Sequence, residues 1–253
     1  MRCYQKEFNE RVAFIRKTVQ SAGAKGVAFG NSGGKDCVLV GILCKAACPN
    51  TIGVIMPCAS RRNYNEDKEH AEIFAERFGI ENKLVDLTDA WNYIVNELDL
   101  SNAVLGSALA DPTHTIPANI APRLRMTALY AIAASRNLLV AGTGNRSERH
   151  MGYFTKWGDG AYDFNPIADL TASEVFEFLR FLNAPDIIIE KAPSAGLFDG
   201  QTDETEMGIS YKEIDEYLLH GTATDEKKAL IEQFHEKTMH KRKMPPTYNK
   251  ESL

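Results

Sequence analysis

Short apolar runs alternate with segments of helical period along this chain, and that alternation confines it to a parallel α/β architecture. Residues 26–30, 51–56, 83–87 and 138–141 read as strands. Helical spacing predicts helices over 4–22, 35–48, 65–78, 88–98 and 122–136, then over 171–183, 210–219 and 224–239. Strands joined through helices run parallel with right-handed crossovers. The expected fold class is therefore α/β, an open parallel sheet flanked by helices on both faces, as a single domain over 1–253. In such a sheet the strand carboxyl ends share one edge, and ligands bind beyond it. The polar and glycine-rich segments fall there. Ser32-Gly33-Gly34 follows the first strand, residues 58–63 with Arg61 follow the second, and Gly142-Thr143-Gly144 through Glu148 follow the fourth. These loops should converge. Residues 145–170, rich in Gly, Asp and aromatics, read as a long functional loop.

The charge balance removes several classes of partner. A net charge of -5 gives no basic field for nucleic acid or anionic lipid, so neither is expected as a partner. No run approaches the ~20 apolar residues of a membrane span, and the charged start Met1-Arg2-Cys3-Tyr4-Gln5-Lys6-Glu7 is not a secretory signal. Five cysteines is an odd number, and Cys37, Cys44 and Cys48 crowd one apolar segment, which suits reduced thiols and a cytoplasmic setting. The histidines are scattered, without zinc-ligand spacing.

The segment Gly30-Asn31-Ser32-Gly33-Gly34-Lys35-Asp36 links a strand to a helix. Glycines let backbone approach an anion closely, and the first amides of the helix have no partners within it. Asp36 would repel a phosphate unless a magnesium ion lay between them. By itself the segment fits two readings, a phosphate loop or a plain strand-to-helix turn with a capping serine. It is neither Gly-x-x-x-x-Gly-Lys-Ser/Thr nor Gly-x-Gly-x-x-Gly.

Ser-Gly-Gly-x-Asp after a first strand resembles the PP-loop of the N-type ATP pyrophosphatases, which cleave ATP to AMP and pyrophosphate while adenylating a substrate oxygen. Several further segments are similar to the NAD synthase family. These are Asn119-Ile120-Ala121-Pro122-Arg123-Leu124-Arg125-Met126, Gly142-Thr143-Gly144-Asn145-Arg146-Ser147-Glu148, Gly152-Tyr153-Phe154-Thr155-Lys156-Trp157-Gly158-Asp159-Gly160, Lys191-Ala192-Pro193-Ser194-Ala195-Gly196-Leu197, Gly200-Gln201-Thr202-Asp203-Glu204 and His240-Lys241-Arg242. The resemblance implies an adenine nucleotide alpha hydrolase-like, Rossmann-like fold. It implies an ammonia-dependent ligase that amidates nicotinic acid adenine dinucleotide (deamido-NAD) to NAD, with ATP as co-substrate and Mg2+ as cofactor. The carboxylate of deamido-NAD attacks the α-phosphate, pyrophosphate leaves, and ammonia displaces AMP from the acyl-adenylate. Glutamine-using members carry a nitrilase-like glutaminase domain, for which these 253 residues leave no room. Ammonia is therefore expected free or from a separate partner. A homodimer is expected, with the dinucleotide site between subunits.

The resemblance also implies roles. ATP would contact Gly30, Ser32, Gly33, Gly34, Lys35, Asp36 and Cys37, together with Arg61, Thr143 and Ser194. Asp36, Glu148 and Ser194 would hold the metal. Asn119, Arg123, Tyr153, Lys156, Asp159, Asp163 and Asp203 would bind deamido-NAD, and Asp159 would also receive ammonium. Asp36, Glu148 and Asp159 form the catalytic group. Arg125 fits either binding or a solvated helix face. Asp203 and Glu204 fit either binding or an acidic first helical turn. Three positions depart from the family's usual pattern, and one of them is Lys35, which stands where an apolar residue is common. Cys37 stands where a serine is usual, and Ala172 where a phosphate-contacting lysine is usual, so Lys35 is expected to supply part of that charge. The rivals are another PP-loop enzyme, such as a tRNA thiolase or GMP synthetase, and a nucleotide sensor without turnover.

Overall fold

A computed structural model describes residues 2–58, 66–100, 118–190 and 203–248. Arg61 and Ser194 lie outside these residues. Helix α1 (Tyr4–Ser21) opens the chain and buries Val12, Ile15 and Val19. Then come β1 (Val27–Gly30), α2 (Lys35–Ala47), β2 (Thr51–Ile55), α3 (Lys68–Phe78), β3 (Glu81–Leu84), α4 (Thr88–Glu97), α5 (Ile120–Arg136) and β4 (Leu139–Ala141). The described strands form one parallel sheet in the order β3-β2-β1-β4, with Phe29 of β1 opposite Gly53 of β2 and Ala141 of β4. The order reverses after β3, which places a switch point between β1 and β4.

Alternating side chains divide the core. Val27 and Phe29 pack with α1 and α2 on one face, while Ala28, Ile52, Val54 and Val140 pack with α5 on the other. Both faces are thus covered, and burying a side chain of this kind contributes about 1.5–3 kcal/mol. A third cluster lies beyond the sheet. It joins α6 (Arg146–Met151) to α10 (Tyr211–His220) and α11 (Asp225–Lys237) through Met151, Tyr211, Ile214 and Ile231. Between them run α7 (Ala172–Phe181), α8 (Asp186–Ile189) and α9 (Asp203–Met207), and α12 (Met239–Arg242) follows.

Two local expectations change. Strand β3 starts at Glu81 rather than 83 and ends at Leu84. It is the edge strand and three of its four residues are exposed, so it needs no apolar run, and the apolar residues Val85 and Leu87 pack beyond it. The expected loop 145–170 contains α6. That helix is short and polar, and a capping box nucleates it: Asn145 Oδ1 accepts from Glu148 N at 3.0 Å, and Glu148 Oε2 accepts from Asn145 N at 2.9 Å.

The turn after β1 is held by Asn31, which is 2 % exposed. Its Oδ1 accepts from Gly33 N at 3.2 Å, and its Nδ2 donates to Ala71 O at 3.2 Å and Asn82 Oδ1 at 3.1 Å. Gly33 has φ +67°, and a Cβ there would lie 2.6 Å from Asp67 O and 2.9 Å from Ala71 N. Gly23 has φ +63° with nothing within 4 Å of such a Cβ. Gly23→Ala therefore isolates the left-handed penalty, about 1–2 kcal/mol. Gly33→Ala is expected to cost more and to weaken ATP binding. Urea denaturation with ATP titration checks both; equal costs for the two variants would contradict the packing argument.

Candidate active site

At the carboxyl edge of the sheet lies a cavity of about 760 Å³, within the range of small-ligand sites. Its phosphate-loop wall is Gly30, Ser32, Gly34, Lys35, Asp36 and Cys37. Ser32 Oγ accepts from Gly34 N at 3.3 Å and stands 3.2 Å from Cys37 Sγ. Burial pushes the Cys37 thiol up, so it stays protonated and is a poor nucleophile. Lys35 Nζ donates to Ile189 O at 3.4 Å and lies 5.8 Å from the centre of the Phe176 ring on α7, the helix that also brings Ala172 into the cavity wall.

The opposite wall comes from β4 and α6, with Thr143 and Glu148. Asn145 joins the two walls. Its Nδ2 donates to Asp36 Oδ1 at 3.0 Å while its capping box fixes Glu148. The two carboxylates are thereby gathered on one buried residue, Asp36 on its side-chain amide and Glu148 on its backbone N–H. Enclosure by protein raises the Asp36 pKa to about 6, partly offset by the Asn145 bond. Enclosure, then the charge of Asp36, pushes Glu148 well up. Asp203 adds a third negative charge to both; it is buried and accepts from Tyr211 Oη at 3.0 Å.

A third wall is built around Thr155. Asn119 Oδ1 accepts from Thr155 Oγ1 at 2.6 Å, and Asp159 Oδ1 accepts from Thr155 N at 2.9 Å. Asp159 has accessible surface, but it lines the cavity, and enclosure by the surrounding protein raises its pKa. Tyr153 also lines the cavity and donates from its hydroxyl to Glu206.

Among the described residues, four expected positions stand outside the cavity lining. Gly33 is packed behind the loop against α3. Arg123 is exposed, with Nε donating to Lys156 O at 3.4 Å. Lys156 Nζ donates to His240 O at 2.8 Å. Asp163 accepts from Val140 N at 2.7 Å and from Tyr130 Oη at 3.2 Å, so it secures β4. Other residues take their place in the wall. Arg125, not Arg123, is the arginine of α5 that lines the cavity, and Lys241 donates to Gly152 O at 2.8 Å and Phe154 O at 2.9 Å from the C-terminal side. A signal for Arg125 was present: Asn119, Pro122, Met126 and Leu129 share its helical face.

A parallel sheet whose first turn is glycine-rich, faced by paired carboxylates at the switch point, has the layout of the PP-loop class. Comparison with known proteins narrows this. The family model for NAD synthase matches residues 7–245. The NH(3)-dependent NAD(+) synthetase of Carboxydothermus hydrogenoformans is 44% identical over 243 residues, covering 96% of each chain. Among solved structures, an NMN synthetase from Francisella tularensis superposes with a TM-score of 0.89 at 34% identity, covering 98% of this chain and 100% of its own. The NH3-dependent NAD synthetase of Campylobacter jejuni gives a TM-score of 0.77 at 29% identity, with 98% and 100% coverage. The chain belongs to the NAD synthase family.

The electrostatics carry a sign. Asp36 binds its proton more tightly folded than unfolded, where a carboxyl titrates at about 3.9. Without divalent cation, the Asp36 contribution to unfolding free energy should therefore fall as pH rises from about 4 through about 6, because the folded state holds the extra proton in that window. Asp36→Asn should remove that contribution. Urea titrations of both proteins across that range measure the difference; a parent slope no more negative than that of Asp36→Asn would contradict the enclosure of Asp36.

Proposed function

We propose that the chain amidates deamido-NAD to NAD with ammonia and ATP, through an acyl-adenylate, releasing pyrophosphate and then AMP. The single observation that carries this reading is the Asp36–Asn145–Glu148 bridge across the mouth of the phosphate loop. Two enclosed carboxylates, both raised in pKa by their enclosure, are a hard-oxygen pair suited to Mg2+. No cage of three His, Cys, Asp or Glu side chains exists among the described residues, which matches an ion that takes its other ligands from phosphate and water. When bound, that ion neutralises the charge of the phosphates.

The chain's own groups do the rest. The amides that open α2 and the Ser32 hydroxyl hold the phosphates at the loop. Asn119 orients the nicotinate end from the Thr155 wall. The carboxylate oxygen bonds to the α-phosphorus as the bond to pyrophosphate breaks, and pyrophosphate takes the electron pair. Ammonia then adds to the acyl carbon and AMP departs. Asp159, raised in pKa and facing the cavity, takes the proton that the attacking nitrogen sheds.

A homodimer fits the face made by β3 and α4, where Leu84, Tyr93 and Leu98 are 50%, 67% and 59% exposed. A thiolase is disfavoured because Cys44 and Cys48 are buried and lie outside the cavity lining, with burial pushing both thiols up. We place the protein in the cytoplasm on its free, buried thiols. No helix among the described residues is long and apolar enough to cross a membrane.

One observation favours a second acyl substrate. The superposition on an NMN synthetase is tighter than that on the Campylobacter NAD synthetase, so the deamidated mononucleotide is a candidate beside the dinucleotide. The 44% identity to a curated NAD synthetase outweighs the 34% identity to that neighbour and keeps the dinucleotide first.

Incubation with ATP, Mg2+, ammonium and either deamidated nucleotide should give amide, AMP and pyrophosphate in equal amounts, faster with the dinucleotide. Carboxyl-18O substrate should pass one label to AMP. ADP and phosphate as products would contradict the reading. Lys35→Met should weaken ATP about tenfold, roughly 1.4 kcal/mol, and unchanged ATP affinity would remove Lys35 from phosphate binding.

A further inference from the structure

Helix α5 turns one face to the cavity through Asn119, Pro122, Arg125, Met126 and Leu129, and Arg125 is the cation on that face. Its Nε donates to Met56 O at 3.0 Å, at the carboxyl end of β2. The guanidinium is thereby tied to the rigid sheet. The carboxylates that act on it come from two elements, Asp159 on the Thr155 wall and Asp67 before α3, and Cys37 at the start of α2 lines the same cavity. Arg125 therefore sits between the phosphate loop and the wall that holds the acyl substrate. Burial lowers its pKa, which marks a guanidinium sheltered from water, where its field is strongest.

Two reacting groups must meet in that gap, the substrate carboxylate and the α-phosphorus. When the carboxylate adds, negative charge builds on the non-bridging oxygens of that phosphorus. We propose that Arg125 donates to a non-bridging α-phosphate oxygen and stabilises the transition state of adenylation. This rests on the ligase reading above. No proton is transferred by Arg125: the carboxylate oxygen bonds to phosphorus, the bond to pyrophosphate breaks, and pyrophosphate carries away the electron pair. A donor fixed to the sheet before reaction needs no reorganisation as the charge develops.

The test uses the whole protein with Mg2+, deamido-NAD and the two diastereomers of ATP with sulfur at the α-phosphate. In the parent enzyme one diastereomer should be slowed by about tenfold or more relative to ATP. In Arg125→Lys, kcat should fall by about 100-fold, the KM for ATP should move less than about threefold, and the penalty specific to that diastereomer should vanish. Circular dichroism of Arg125→Lys checks folding, and the sulfur effect of the parent enzyme needs no variant. The proposal is overturned if the parent enzyme discriminates neither diastereomer. It is also overturned if Arg125→Lys retains the discrimination, or if its only defect is a raised KM for deamido-NAD, which would assign Arg125 to the substrate carboxylate. A parent enzyme that makes no amide at all would instead refute the ligase reading.

Discussion

Two carboxylates far apart in the sequence, Asp36 and Glu148, are held on one buried residue, Asn145, at the point where the sheet reverses its strand order. Like charges enclosed together are costly, and here each carboxylate resists ionisation on account of its enclosure and of charged neighbours that include Asp203. That cost has a use. On the proposed reading, surplus negative charge beside the glycine-rich loop would hold a divalent cation, and that cation would offset the charge of a triphosphate there. The rest of the structure serves to keep these parts in register.

That register comes from packing on three sides. The sheet fixes the directions in which the turns after β1 and β4 leave. Asn31 locks the first turn to β2, β3 and α3, and Gly33 lets it lie against the start of α3 without a side chain. The third apolar cluster holds α6 from beyond the sheet, so that Glu148 is presented on a rigid element. On the substrate side, Thr155 fixes Asn119 and Asp159 through two separate hydrogen bonds. One short loop thus aligns a group on α5 with a group on the loop itself.

The strands β1, β2 and β4 were legible because they are buried on both faces and read as continuous apolar runs. Strand β3 was shifted because an edge strand obeys no such pattern. Helix α6 is too short and polar to show a period, and only its capping box announces it. The phosphate loop and Glu148 lay in recognisable motifs, whereas Asn31 and Asn145 act through partners far away in sequence, Asn82 and Asp36. The choice between Arg123 and Arg125 turned on helix phase, which places Arg125 with Pro122 and Leu129 toward the cavity and leaves Arg123 exposed. Asp163 looked like a pocket acid but is occupied by Val140 N and the Tyr130 hydroxyl.

Diffraction from crystals soaked with Mn2+ and a non-hydrolysable ATP analogue, recorded at the manganese edge, addresses the central claim most directly. The account predicts an anomalous peak within coordination distance of both Asp36 and Glu148, with the analogue's outer phosphates against the amides that open α2. A peak that touches neither carboxylate, or phosphates seated away from the loop, would contradict it.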